Sequence, residues 1–383
     1  MRTANLLVLT TLAAAVPTAF ADEEAATSNA FEIEAAYTGA VWSNKGGLAD
    51  GERYLDNLGL SVTADLERLT GWRGATSHAS ILYNNGSSLS ELTGDSLVVS
   101  NIEAGVEALR LYEAWIEAPV SPSSTLKVGL YDLNSEFDVL ESSALFIGSA
   151  HGIGMDIAQT GENGPSIFPI TGFAARLDFN VSENLTFRVA VLEGVPGDPD
   201  DPASTVIDFD GDEGTLLVGE FALDTDRSRV LLGAWGYSEE FDRFDGRGTA
   251  PSSGIYLRGE RLLSEQDFGD VRGFARLGLA TGDVNPYNAL VSGGLTLETA
   301  ESGSLGIAVA YAGVSDRYRG ANISSAAGET VIELTYAYAL TDWLELQPNL
   351  QFISNPSADR SIDDALAVGL RFTVSPKFSP FGG

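Results

Sequence analysis

Along most of this chain apolar and polar residues alternate one for one. The segment ETVIELTYAYALTDWLELQPNLQFI, residues 329–353, shows the pattern plainly. Ile332, Leu334, Tyr336, Tyr338 and Leu340 fall on one face, and Val331, Glu333, Thr335, Ala337 and Ala339 on the other. After a break at Thr341-Asp342, Leu344, Leu346, Leu350 and Phe352 alternate with Glu345, Gln347, Asn349 and Gln351. A period of two with one apolar face is the signature of a β-hairpin. The rest of the chain decides whether that face meets a protein core or lipid.

Segments of the same kind predict sixteen strands. They lie at 30–42, 55–68, 75–84, 106–118, 124–132, 171–180, 184–193 and 214–224 in the first half. The second half adds 228–237, 253–264, 270–280, 289–298, 303–313, 329–339, 343–353 and 364–374. Most are close to the roughly 9–11 residues with which a tilted strand crosses a bilayer. The connections alternate in length. Short ones (119–123, 181–183, 225–227, 265–269, 299–302, 340–342) separate long ones (85–105, 133–170, 194–213, 238–252, 314–328). A soluble sandwich has no reason to keep its tight turns at one end, whereas an outer-membrane barrel does. Closure also satisfies every backbone hydrogen bond where no water is available. The pattern therefore predicts an all-β fold: a sixteen-stranded antiparallel transmembrane outer-membrane β-barrel of the porin kind. Its apolar face meets outer-membrane lipid, its long loops are extracellular, and its short turns and both termini are periplasmic. Tyr336, Tyr338 and Trp343 supply amphipathic rings for the headgroup zone.

Composition adds the compartment. Arg2, the run LLVLTTLAAAV, and Ala19 and Ala21 before Asp22 read as a cleaved secretory signal. Residues 1–21 are accordingly assigned to the signal peptide and 22–383 to the porin barrel. No other window carries the roughly 18–20 apolar residues of a membrane helix. There is no cysteine, and the formal net charge of −32 argues against a nucleic-acid partner, whose phosphates it would repel.

The alternation also says which charges face the lumen. It places Arg176, Arg188, Arg258, Arg272, Arg276 and Arg371 inside, with Glu113, Glu117, Glu220, Glu260, Glu333 and Glu345. The arginines gather on strands six, seven, ten and eleven and many acids on other staves, which predicts separated signs and a transverse field across the pore. Guanidinium donors and carboxylate acceptors suit the hydroxyls of a sugar. Trp115 is placed to offer its ring to a pyranose C–H face. Small inward residues (Gly306, Ala308, Ala310, Thr335, Ala337) predict an open path. The segment 133–170 is too long for a connector, and with Phe137, Leu140, Leu145, Phe146 and Ile147 it reads as a constriction loop.

Other chemistries find little support. Only His78 and His151 are present, no G-x-S-x-G elbow accompanies them, and a hydrolase is a remote alternative. Asp208, Asp210 and Asp212 carry part of a calcium-loop pattern without its distant Glu; weak, non-essential calcium binding is the most they predict, and no cofactor is expected. The chain also lacks a G-x-x-x-x-G-K-[ST] loop, so transport is expected to be passive.

The stretches YLDNLGLSVTADLERLTGW, NNGSSLSELTGDSLVVSNIEA, RLYEAWIE, VGLYDLNSEFDVLESSALFIGSAHGIG and ELQPNLQFISNP closely resemble the OprB-type carbohydrate-selective porin family. The resemblance runs from about Tyr54 to Phe372, and the YDLNSEF block with its downstream NGPSIFP is its most specific part. It implies diffusion of glucose and related small neutral sugars through an eyelet lined by arginines and narrowed by infolded loops. By position it marks Arg110, Glu113 and Trp115 in RLYEAWIE, and Asn134 and Glu136 in DLNSEF. Arg176, Arg188, Arg258, Arg276 and Glu333 join the substrate pathway by the alternation alone. Most such barrels end on an aromatic residue; here the chain runs on to SPFGG, which predicts an altered terminal assembly signal. The net charge keeps a general, cation-leaning porin as the alternative, and trimer and monomer both stay open.

Overall fold

The computed structural model describes residues 30–207, 213–299, 303–322 and 324–376. The expected signal peptide, Asp208, Asp210 and Asp212, and the SPFGG tail lie outside the described residues.

The strands are β1 (Phe31–Gly46), β2 (Gly51–Asp65), β3 (Thr76–Asn85), β4 (Glu107–Ser121), β5 (Ser124–Tyr131), β6 (Gly172–Asn180), β7 (Leu185–Glu193) and β8 (Thr215–Thr225). They continue as β9 (Ser228–Asp242), β10 (Thr249–Gln266), β11 (Gly269–Ala280), β12 (Tyr287–Thr299), β13 (Gly303–Val314), β14 (Gly328–Thr341), β15 (Leu344–Ser354) and β16 (Ala365–Val374). Each pairs antiparallel with its chain neighbour, and β1 closes on β16 from Tyr37↔Val374 to Gly46↔Ala365. Every expected strand is present, in order. The outward residues of the opening hairpin and of β16 (Ile332, Leu334, Leu350, Phe352, Leu366, Val368, Leu370) are exposed, while Glu333, Thr335, Gln347, Asn349 and Gln351 are buried.

The loops depart from expectation in three places. Residues 238–252 are mostly strand, because β9 and β10 stay paired as far as Asp242↔Thr249 and leave 243–248 as the loop. The 43–54 connection likewise shrinks to 47–50. On the turn side, residues 66–68 belong to a short helix, α1 (Leu66–Thr70), capped by the Asp65 carboxylate on the Arg68 amide at 3.1 Å.

The outer loops are numbered L1–L8 in chain order. L2 (86–106) and L3 (132–171) fold into the barrel, and apolar side chains from both, including Leu89, Leu97, Val99, Phe137, Leu140, Phe146 and Ile147, are buried against its inner wall. L2 holds a short helix, α2 (Ser90–Thr93), L3 holds α3 (Met155–Ala158), and L7 (315–327) holds α4 (Asp316–Ala321).

Candidate functional site

The inward wall of β4–β7 and β10–β11 is built around two cation pairs. Antiparallel register sets Lys127 of β5 directly opposite Arg176 of β6, and Arg258 of β10 directly opposite Arg276 of β11. Like charges facing across a ladder are destabilising unless something lies between them. L3 supplies that something twice, from residues two apart in NSEFD. Glu136 reaches Lys127 Nζ at 2.8 Å and Arg176 Nε at 2.7 Å, and its other contacts are Tyr131 Oη at 2.6 Å and Arg188 at 4.0 Å. Asp138 bridges Arg258 at 3.2 Å and Arg276 at 2.9 Å, and Asp156 adds a second carboxylate to Arg276. Burial alone would raise the Glu136 carboxyl; Lys127, Arg188 and Arg176 outweigh it and hold it well below the usual carboxylate range. Phe137, between the two acids, is buried beneath the Arg188 guanidinium, 5.5 Å from its ring centre.

Inward carboxylates elsewhere in the barrel grip the loop by its backbone. Glu333 accepts the amides of Ile147 at 2.7 Å and Gly148 at 3.0 Å, and the Asn349 side chain at 2.6 Å. Glu260 accepts the Ser142 amide at 2.8 Å, and Glu220 the Asp138 amide at 2.9 Å and Tyr256 Oη at 2.7 Å. Arg258 donates in addition to the carbonyls of Asp138, His151 and Gly152. Wall cations therefore stand where the loop brings carboxylates, and wall carboxylates where it brings N–H groups.

Two expectations are corrected by this arrangement. The signs are not separated into a transverse field, because L3 carries Glu136, Asp138 and Asp156 onto the arginines and neutralises them in place. The small inward residues of β13 do not form an open path either. They are the seat of L3: a Cβ on Gly306 would come within 2.7 Å of Phe146 and 2.9 Å of Leu145, and Ala308 packs in the same cluster. On the loop side Gly154 does the same for the wall, since a Cβ there would fall on the Arg276 guanidinium.

Of the residues singled out from sequence, Arg176, Arg188 and Glu136 come together, while Arg258, Arg276 and Glu333 are buried as loop anchors. Asn134 folds the loop on itself, its Nδ2 donating to the Phe137 carbonyl at 3.0 Å. Arg110 and Glu113 both point inward although three residues apart, because Tyr112 is an extra residue in β4: Ser80 pairs with Glu113 and Ile81 with Leu111. Arg110 then reaches over to hold L4 (194–214) through the Pro202 carbonyl at 3.1 Å. Glu113 Oε1 accepts the Asp132 amide and the Trp115 indole N–H, at 3.2 and 3.3 Å. The Trp115 ring is not bare. His78 stacks with it at 5.0 Å between centroids, and Lys127 Nζ lies over it at 4.0 Å.

Sequence reasoning missed Lys127, Asp138 and Asp156, and the infolding of L2. The alternation in STLKVGLY puts Lys127 inside by the same test applied to the arginines. L2 carries apolar residues just as L3 does, and its Val98 and Asn101 pair with L3 through Ser149 N–Val98 O at 3.0 Å and Asn101 N–Ile147 O at 2.9 Å. Gln351 and Arg371 fix it to the wall, through the Val99 carbonyl at 2.8 Å and the Asn101 side chain at 2.7 Å.

A closed sixteen-stranded barrel with a polar inner wall and infolded loops defines a porin with a built constriction. The model of the carbohydrate-selective porin, OprB family matches residues 49–375, and the chain belongs to that family. It is an outer-membrane, sugar-selective porin. Porin B of Pseudomonas aeruginosa is 23% identical, covering 89% of this chain and 86% of that protein. In three dimensions the high-pH structure of Pseudomonas putida OprB superposes with a TM-score of 0.80 at 20% identity, over 91% of this chain and 94% of that one. The outer-membrane channel DcaP of Acinetobacter baumannii gives 0.59 at 12% identity, over 90% of this chain and 97% of the other. These two likenesses speak to the fold.

Proposed function

We propose that small neutral sugars, glucose among them, diffuse passively along the β4–β7 wall where Glu117, Asp178 and Arg188 keep part of their surface open to the lumen. The observation that carries this reading is charge balance. Three cations (Lys127, Arg176, Arg188) meet three carboxylates (Glu117, Glu136, Asp178), all within 4.0 Å contacts. A lane of matched ion pairs with donors and acceptors side by side offers paired hydrogen bonds to vicinal hydroxyls. On this reading the ion pairs, and not the formal charge of −32, govern what a solute meets along this wall. Arg188, about 16% exposed against 2% for Arg176, is the guanidinium a passing solute meets. Binding there must stay weak, since a site that holds its solute stops conducting.

The test is single-channel current in planar bilayers with glucose added to either side. Glucose is expected to reduce the salt current reversibly and with weak, saturable affinity, while a neutral amide of similar size leaves it unchanged. Equal effects of the two solutes would overturn the reading.

A further inference from the structure

At the outer end of β14, L2 and L8 (355–364) meet on one side chain. Glu329 is fully buried and accepts three backbone amides: Ser96 and Leu97 of L2, each at 2.9 Å, and Ser357 of L8 at 2.6 Å. The two loops also touch through Ser96 Oγ–Ser357 Oγ at 3.0 Å, and Ser357 Oγ donates to the Gly94 carbonyl at 2.7 Å. Asp95, the residue before Ser96, is buried as well. Its Oδ1 takes the Thr93 hydroxyl, and its Oδ2 has no hydrogen-bond partner.

The groups facing this pair are Ser90, Thr93 and Glu103 from L2, Tyr287 at the start of β12, and Tyr318 of α4. Glu103 is itself occupied by the Ser88 hydroxyl and by the amides of Leu89 at 3.0 Å and Ser90 at 3.2 Å. Among the described residues no Lys, Arg or His forms an ion pair with Asp95, Glu103 or Glu329. Two neighbouring buried carboxyls without a counter-ion do not both ionise while they stay buried.

We propose that Asp95 and Glu329 form a one-proton clasp that keeps L2 folded into the barrel at and below neutral pH and releases it in alkali. Burial pushes the Asp95 carboxyl above its ordinary value, against the pull of the Thr93 hydroxyl. A raised carboxyl contributes its stabilisation fully at low pH and loses it as pH rises through the shifted value. Once both groups are charged, L2 leaves β14 and gives up its contacts with Gln351, Arg371 and L3. This rests on the reading of L2 and L3 as the constriction.

The experiment is salt conductance of the refolded full chain from about pH 5 to about pH 10, for the parent and Asp95→Asn. Hydrogen exchange of the Ser96 and Leu97 amides is measured alongside, referred to Ile147 and Gly148, which Glu333 holds. The parent is expected to show about a twofold rise in conductance in alkali as one narrowing element withdraws. Relative exchange at Ser96 and Leu97 should accelerate over the same range. Asp95→Asn, unable to take a charge, is expected to keep the low conductance throughout. No alkaline step in the parent, or the same step in Asp95→Asn, would overturn the clasp. If the variant does not reach the barrel form, parent exchange alone decides: no relative acceleration sinks the idea. The step is read in salt, so it stands or falls separately from sugar selectivity.

Discussion

Arg188 and Asp178 make the same contact, 2.6 Å apart, but removing one or the other should tip the pore in opposite directions. Arg188→Ala leaves the lane one carboxylate in excess and removes a long side chain. It is expected to raise conductance, lean toward cations and blunt the distinction between sugar and amide. Asp178→Asn leaves one cation in excess and should lean toward anions with little change in conductance. Reversal potentials in a salt gradient check both; shifts of the same sign would mean that these residues do not set the local field. His151 carries a second residue-scale prediction. Burial first, and then the neighbouring Arg258, pull its imidazole from an ordinary 6.5 down to about 3. It is packed neutral against Phe146 and Phe274, with centroids at 5.0 and 5.9 Å. A base whose folded value is depressed contributes stability above its free value and loses it as pH falls from about 6.5 toward 3. Replacement by Leu should flatten the acid branch of thermal stability over that window. An unchanged acid branch would show that His151 does not titrate on unfolding.

The constriction loop behaves as one element clipped to the wall from two sides. Its carboxylates lie on cross-strand cation pairs, and its amides lie on Glu220, Glu260 and Glu333. The seat beneath it is shaped by small residues, so steric change there should act on the pore at a distance. Gly306→Leu is expected to push Phe146 and Leu145 off β13 and widen the channel, with the barrel itself intact. Larger single-channel conductance with normal heat-modified mobility would confirm it; parental conductance would show that L3 is not seated on Gly306. The element scale also marks where sequence reading succeeds. Strand alternation is a local property, so Arg176, Arg188, Arg258 and Arg276 were legible as inward-facing from their neighbours alone. The partners of Arg258 and Arg276 were not. Asp138 sits in irregular backbone and Asp156 in the one-turn α3, and only the fold brings these L3 acids 120 and 138 residues along the chain to Arg258 and Arg276. The small residues of β13 were legible as inward but misread, because an open path and a loop seat require the same side-chain size. Tyr112 marks another limit. A bulge reverses the inward parity within one strand, and neither length nor composition announces it.

At the scale of the whole molecule, sixteen strands, their order and their alternating connections followed from period-two patterning and turn length, with errors confined to strand ends such as β9 and β10. Those ends ran longer because β9 and β10 stay paired as far as Asp242↔Thr249, through polar residues such as Ser238, Glu239 and Glu240 that alternation does not mark. Net charge is the property most easily misjudged from composition. An acidity of −32 suggests a cation channel, yet the wall proposed for the sugar path is a balanced set of ion pairs. The measurement that tests this most directly is swelling of liposomes containing the refolded protein in glucose, in neutral amides of matched size, and in small cations and organic acids. Swelling markedly faster in glucose than in the amides, with no preference for cations, is the predicted result. Equal rates for all neutral solutes, with cations favoured, would contradict it and make the negative charge, not the balanced wall, the determinant of what passes.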